Sequence, residues 1–267
     1  MLIFRKDWLE ICRNWEVLFP LIAVPLVVAL ILPMVAVIPT FPLPAQASST
    51  GLLTIIRAFP SHVKDEIAGM TGRQAITYLV LLYLFAPVFL IIPIMAASVI
   101  ASDSFAGEKE RKTIEALLAT PLSDAEMLLG KMLVSLTPAV ITTLTSFALY
   151  SAVVDLLTVG IFNGRLLLPN QLWSLLVFGL APALAFADIG LTVLISARVK
   201  GVREAQQISA LLLIPLITVV LGQASGAMAL DPFLINILIA LLLTFDIIVF
   251  AVAVRTFGRN RILSSLS

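Results

Sequence analysis

The sequence is short of the residues from which soluble active sites are built. It has one cysteine, Cys12, and one histidine, His62. A lone cysteine excludes an intrachain disulfide, and one His with one Cys argues against a zinc site made of those ligands. A Ser-His-Asp arrangement would have to use His62, which lies in a polar stretch with no nucleophile pattern beside it. A phosphate-cradling loop, G-x-x-x-x-G-K followed by Ser or Thr, is also missing. Gly130-Lys131 lacks the upstream glycine and the hydroxyl residue after the lysine. Charge is scarce, at 12% of 267 residues, about half the roughly 25% of an average soluble domain. The net charge is +1, so no bulk attraction to nucleic acid is implied.

What the chain has in abundance is apolar length. Hydrophobic residues make up 60% of it and its mean hydropathy is +1.10, so the lipid bilayer is its solvent. Six runs read as membrane-spanning helices, at 17–38, 76–102, 125–154, 171–196, 207–224 and 233–254. The fifth is short, carries Pro215 and ends in the small-residue stretch GQASGAMA, which also permits a re-entrant turn. Ala45-Gln46-Ala47 resembles a signal-peptide cleavage site. The preceding run of about 22 residues is too long for that, and Asp7, Glu10 and Glu16 lead into it, so it reads as a retained span.

Lys and Arg fix the orientation. Arg5, Lys6, Arg13, Lys109, Arg111, Lys112, Lys131, Arg198, Lys200, Arg203, Arg255, Arg259 and Arg261 flank one side, 13 of the 17 basic residues. Only Arg57, Lys64, Arg73 and Arg165 flank the other. The richer side is expected to be cytoplasmic and to carry both termini, in a cell (plasma or inner) membrane. Trp8 and Trp15 then fall at the inner interface, and Tyr78, Tyr150 and Trp173 at the outer one. The expected fold is all-α, one transmembrane domain over residues 1–267.

Two flanking segments have their own character. Within residues 1–16, Phe4, Trp8, Ile11, Cys12 and Trp15 recur at spacings of three and four, opposite a charged face, so this segment reads as an amphipathic helix in the membrane plane. Residues 39–75 form the largest outer segment. It is extended through Pro39, Pro42 and Pro44 and is followed by short helices at about 50–58 and 61–70, the second with Ser61 as its N-cap.

Residues 103–124 are the longest charged stretch. Asp103 to Gly107 break the apolar pattern, and Thr113 can cap a short helix over Ile114 to Ala119. Pro121 stops that helix, and Ser123-Asp124-Ala125-Glu126 is a capping box for the third span. Ile114, Leu117 and Leu118 make one small apolar face ringed by Glu108, Lys109, Glu110, Arg111, Lys112 and Glu115. Such a face suits docking, because the apolar centre supplies burial and the ring fixes register. A solvated loop is the plainer alternative, and a helix held between two stops favours docking. The basic loop 197–207 offers a smaller contact or a topological anchor.

The stretch SFAGEKERKTIEALLATPLS resembles the signature of ABC-2-type ABC transporter permeases, E-x-E-x-x-T-L/I-E-x-L-L-x-T-P-L/V-S/T, with matches at Glu108, Glu110, Thr113, Ile114, Glu115, Leu117, Leu118, Thr120, Pro121, Leu122 and Ser123. The resemblance implies that this segment is the cytoplasmic coupling helix, which fits a cleft on a separate ATP-hydrolysing subunit. Glu108, Glu110, Thr113, Ile114, Glu115, Leu117, Leu118 and Pro121 would then serve coupling and not chemistry. It further implies an exporter of two permeases, identical or paralogous, with two ABC ATPase subunits. ATP and Mg would be bound on those partners and no cofactor on this chain. The loop between spans five and six is short beside the outer re-entrant helices of some polysaccharide and lipid exporters, which argues against polymer export.

Asp188 and Asp246 fall inside the fourth and sixth spans. An aspartate near the bilayer centre costs about 2.5–3.5 kcal/mol on insertion scales, so each should face protein or water. Asp188 precedes Arg198 by ten residues and Asp246 precedes Arg255 by nine, which puts them at similar depth. They read either as contacts on a substrate or ion pathway, or as structural groups hydrogen-bonded to Thr192 or Thr244 one turn away. Two functions of other classes use the same features. One is an ion-coupled carrier or channel working through these aspartates. The other is a non-transporting scaffold for a soluble partner. Gly179, Ala183 and Ala187 form a small-residue stripe for close helix packing.

Overall fold

The computed structural model describes residues 15–37, 59–107, 110, 124–196, 199, 201–224 and 230–256. Residues 1–14, the 50–58 helix, Glu108, Thr113, Ile114, Glu115, Leu117, Leu118 and Pro121 lie outside the described residues. Among the described residues there is no strand, and six helices are long and apolar enough to cross a membrane. They are Val17–Val37, Gly72–Gly107, Ala125–Thr158, Gln171–Ser196, Val202–Gln223 and Pro232–Arg255, numbered here as spans one to six.

The ends of several spans differ from the apolar runs, and polar caps explain why. Span two starts at Gly72 because Thr71 and Gln74 form a reciprocal capping box. The Thr71 side chain accepts the Gln74 N–H at 3.4 Å, and Gln74 Oε1 accepts the Thr71 N–H at 2.9 Å. At its far end, Asp103–Gly107 does not break the helix as expected but prolongs it as a π-helical turn. Span five begins at Val202, five residues ahead of the apolar run, and tightens to a 3₁₀ turn at Ala210–Leu212 before resuming. Span three runs as one helix through Pro138. In the 39–75 segment the described helix is Ser61–Glu66, with Pro60 and not Ser61 at the cap position.

Spans two and four form the buried centre, whereas the most apolar windows of spans five and six bury only 17% of their residues within the chain. Water is absent from the hydrocarbon layer, so every backbone carbonyl there must find its donor inside the protein. Span two breaks the regular ladder in its first half. Residues Leu79–Leu84 form a π-helical stretch, and Pro87 brings no N–H to the turn that follows. Three consecutive carbonyls of that stretch accept from three other spans. Tyr150 Oη donates to Leu81 O at 2.7 Å, and Trp173 Nε1 donates to Leu82 O at 3.1 Å. Gln223, with its amide oriented to satisfy both neighbours, donates to Tyr83 O and accepts the Leu230 N–H, each at 2.9 Å. Spans three, four and five are thereby tied to span two at one level.

These bonds correct the expectation that Tyr150 and Trp173 belong to an outer interfacial belt. Both are fully buried. Trp173 stacks on Tyr150 at 4.7 Å and on Phe147 at 5.9 Å, and meets Phe89 edge-on at 5.3 Å. Their polar atoms are taken by the π-helical carbonyls and not by the headgroup region. At the same end Glu66 accepts from Tyr78 Oη at 3.1 Å and Tyr83 Oη at 2.7 Å, which holds the Ser61–Glu66 helix on span two.

Tyr150→Phe removes one donor and should lower stability by about 1 kcal/mol. Trp173→Ala removes a donor and the centre of the aromatic stack, and should cost about 3–5 kcal/mol. Thermal unfolding of the detergent-solubilised chain checks the order. A Trp173→Ala loss no larger than that of Tyr150→Phe would contradict this packing.

Candidate functional site: the polar end of the bundle

The opposite end of the bundle collects the charged residues. Span two leaves its α-helical part at Ser102, and the π-helical turn Asp103–Gly107 follows. Lys131, one of the basic flank residues in the sequence reading, is not solvated. It is 3% exposed, its Nζ donates to Ser104 O at 2.9 Å, and it lies 5.2 Å from the Phe105 ring centroid. Span three thus holds the turn from which the charged segment departs.

Glu110 is the one described member of residues 108–123. Its Oε2 accepts the Val202 N–H at 3.2 Å. Val202 is the first residue of the helix Val202–Ser209, whose cap position is Gly201, a residue with no side chain to cap it. The carboxylate of Glu110 therefore caps this helix from a distant part of the chain. A negative group at a helix N-terminus contributes about 0.3–1 kcal/mol. A Cβ at Gly201 would stand 2.9 Å from Glu110 Oε2, so the glycine leaves room for the carboxylate. Below the cap, fully buried Ala205 packs with Ala106 and Val199. At the other end of the same short helix Ser209 Oγ shares a 2.7 Å hydrogen bond with Thr192 Oγ1, both buried in the bundle.

Thr192 is one turn beyond Asp188. The Asp188–Thr192 and Asp246–Thr244 hydrogen bonds, one of the two readings offered by the sequence, do not form. Thr192 is engaged by Ser209, and Thr244 Oγ1 donates to Ala240 O at 2.8 Å. Asp188 is fully buried and Asp246 nearly so. Both carboxyl oxygens of Asp188 and Oδ1 of Asp246 lack a hydrogen-bond partner among the described residues, as does the buried Ser102 hydroxyl. No group of three His, Cys, Asp or Glu side chains among the described residues could hold a metal ion.

The similar depth of the two aspartates rests on helix register. Spans four and six run parallel and meet where span four has glycine. A Cβ at Gly179 would lie 2.6 Å from Ile239 Cδ1, and one at Gly190 would lie 2.6 Å from Val249 Cγ1. Ile239 is 60 positions beyond Gly179 and Val249 is 59 beyond Gly190, so Asp188 is level with residues 247–248. Asp246 is then within about 3 Å of that level at 1.5 Å per residue. The stripe read from the sequence behaves as expected, since Gly179 admits Ile239 and Ala183 and Ala187 are buried.

The sequence reading missed Gly201 and Ser209, and named Lys131 only as a flanking charge and Thr192 only as a neighbour of Asp188. Only Gly201 carried a signal, as a glycine ahead of a helix without its own cap. The others are single polar residues on apolar faces, and their partners are fixed by packing alone.

Residues 1–253 match the family model described as ABC-2 family transporter protein. No curated protein matches the chain.

Gly190→Ala should cost about 1–3 kcal/mol by overpacking against the β-branched Val249. Adding Val249→Ala should return most of that loss. Thermal unfolding of the single and double variants is the measurement, and equal losses in both would remove the assigned register.

Proposed function

The chain belongs to the ABC-2 transporter family, and on that basis we propose that it is the substrate-conducting permease of an ATP-driven exporter, moved by separate ATPase subunits through residues 108–123. It is a multi-pass membrane protein and the permease component of an ABC transporter, a family whose permeases associate with ABC ATPase subunits. The finer reading has two permease copies, or one with a paralogue, and two ATPases that bind ATP and Mg. The membrane is the plasma or inner membrane, and both termini and the charged segment are cytoplasmic.

The observation that carries the coupling reading is the contact of Glu110 with Gly201 and Val202 at the end of the bundle. This contact supports a surface on which two polar loops lie together, suited to a soluble partner. The apolar face of Ile114, Leu117 and Leu118 would enter the partner's cleft, with Glu108, Thr113, Glu115 and Pro121 setting its charge and its stop. Nucleotide-driven closure of the ATPases would push this face, and the spans would exchange inward for outward access. Asp188 and Asp246 would line the path. A buried, unpartnered carboxyl is costly to keep in a membrane unless it meets a substrate or water at some stage of the cycle.

Leu117→Asp with Leu118→Asp should abolish both co-purification with the ATPase and ATP-dependent transport in vesicles. An intact complex that still transports would refute docking through this face. Asp188→Asn with Asp246→Asn should leave the complex intact and lower transport at least about tenfold, a barrier change near 1.4 kcal/mol. Unchanged transport would take the carboxyls off the path. Transport that followed an ion gradient and ignored ATP would favour an ion-coupled carrier instead.

A further inference from the structure

We infer that Glu110 is a positioning residue that fastens the 103–124 segment to the helix Val202–Ser209, so that displacement of the segment is delivered into span four at Thr192, one turn from Asp188. The inference rests on the coupling role proposed above, but the fastening itself belongs to this chain alone.

Three contacts brace the same short helix, and each comes from a different element. Its N-terminus is capped in trans by Glu110, at 3.2 Å from Val202 N. Its middle rests on Ala106, in the π-helical turn that begins the charged segment, through Ala205. Its last residue, Ser209, is hydrogen-bonded at 2.7 Å to Thr192. The helix is eight residues long, which at 1.5 Å per residue makes a strut of about 12 Å. Such a strut is short enough to move as a unit. Glu110 is therefore held beside Gly201 and Val202 at the start of this strut.

The chemistry of the fastening is specific. The helix has no side-chain cap of its own because Gly201 has no side chain, and the Glu110 carboxylate supplies the acceptor that the Val202 amide takes in place of water. Gly201 also leaves room for that acceptor, since a Cβ there would meet Glu110 Oε2 at 2.9 Å and Cδ at 3.5 Å. The missing side chain of Gly201 thus both leaves the helix start uncapped and makes room for the one carboxylate that caps it. Span five continues directly from Ser209 through the 3₁₀ turn, so the strut also bears on the span that donates Gln223 to the π-helical carbonyls at the far end.

The test is amide hydrogen exchange. In the isolated permease, Glu110→Ala should speed exchange at Val202 and its neighbours about fivefold, as expected for loss of a cap. Glu110→Gln, which keeps an acceptor oxygen, should stay near wild type. Gly201→Ala, which displaces the carboxylate without changing its charge, should reproduce Glu110→Ala, and it decides the matter if Glu110→Ala does not fold. Unchanged exchange at Val202 in both variants would overturn the fastening. In the complex with the ATPase, trapping with ATP and vanadate should alter exchange across residues 202–209 in the wild type, and should do so much less in Gly201→Ala and in Thr192→Val. A response of equal size in all three would overturn the delivery into span four. A wild-type chain that recruits no ATPase would count against the coupling role proposed above, while the result at Val202 would still decide the fastening.

Discussion

Three successive backbone carbonyls of span two, from Leu81 to Tyr83, accept hydrogen bonds from neighbouring spans. The π-helical geometry there and the missing N–H of Pro87 turn carbonyls toward the neighbouring spans, in a layer where no water can answer them. The bundle is arranged around that need. Tyr150, Trp173 and Gln223 come from three different helices and reach three successive oxygens. Hydrophobic burial gives little preference for one helix arrangement over another in lipid, because the tails are as apolar as leucine. Directional bonds to unanswered carbonyls do discriminate. A shift of any one of these spans by a single residue would leave a buried donor and a buried acceptor without partners, so this level fixes the register of four spans at once.

The other end is organised by charge and small residues in place of aromatic rings. Lys131 holds the π-helical turn at Ser104, Glu110 caps the helix that starts span five, and Thr192 grips the end of that helix. Gly179 and Gly190 let spans four and six approach until aliphatic side chains fill the glycine notches. One end of the chain is thus a dense aromatic plug, and the other is a set of polar ties between elements that belong to different spans.

Much of this was legible in the residues, and the part that was not has a physical cause. The six spans, their alternation and the Gly179 stripe follow from apolar length and small-residue spacing, which are local quantities. The ends of spans two and five were not legible from hydropathy, because the Thr71–Gln74 capping box and the amphipathic start at Val202 lie outside the apolar runs. Tyr150 and Trp173 were assigned to the lipid interface because an amphipathic ring suits a headgroup region equally well. What placed them inside was a set of carbonyls freed by a π-helix, which no residue pattern announces. The charged segment was recognised for its docking face, yet its Glu110 caps a helix about ninety residues further along. A capping contact between distant parts of a chain leaves no periodic trace.

The unequal burial of the spans divides the molecule by stiffness. Spans four and six interlock at two glycine notches, and span two is tied to its neighbours through consecutive oxygens. Span five is tied at Ser209 and at Gln223 and lays Leu212, Leu213, Leu216 and Val219 on the core, while Leu211, Ile214, Ile217 and Leu221 on its other flank face outward. A rod tied at two points and covered on one flank only bows more readily than it slides, and the 3₁₀ turn at Ala210–Leu212 gives it a pivot beside the tie at Ser209.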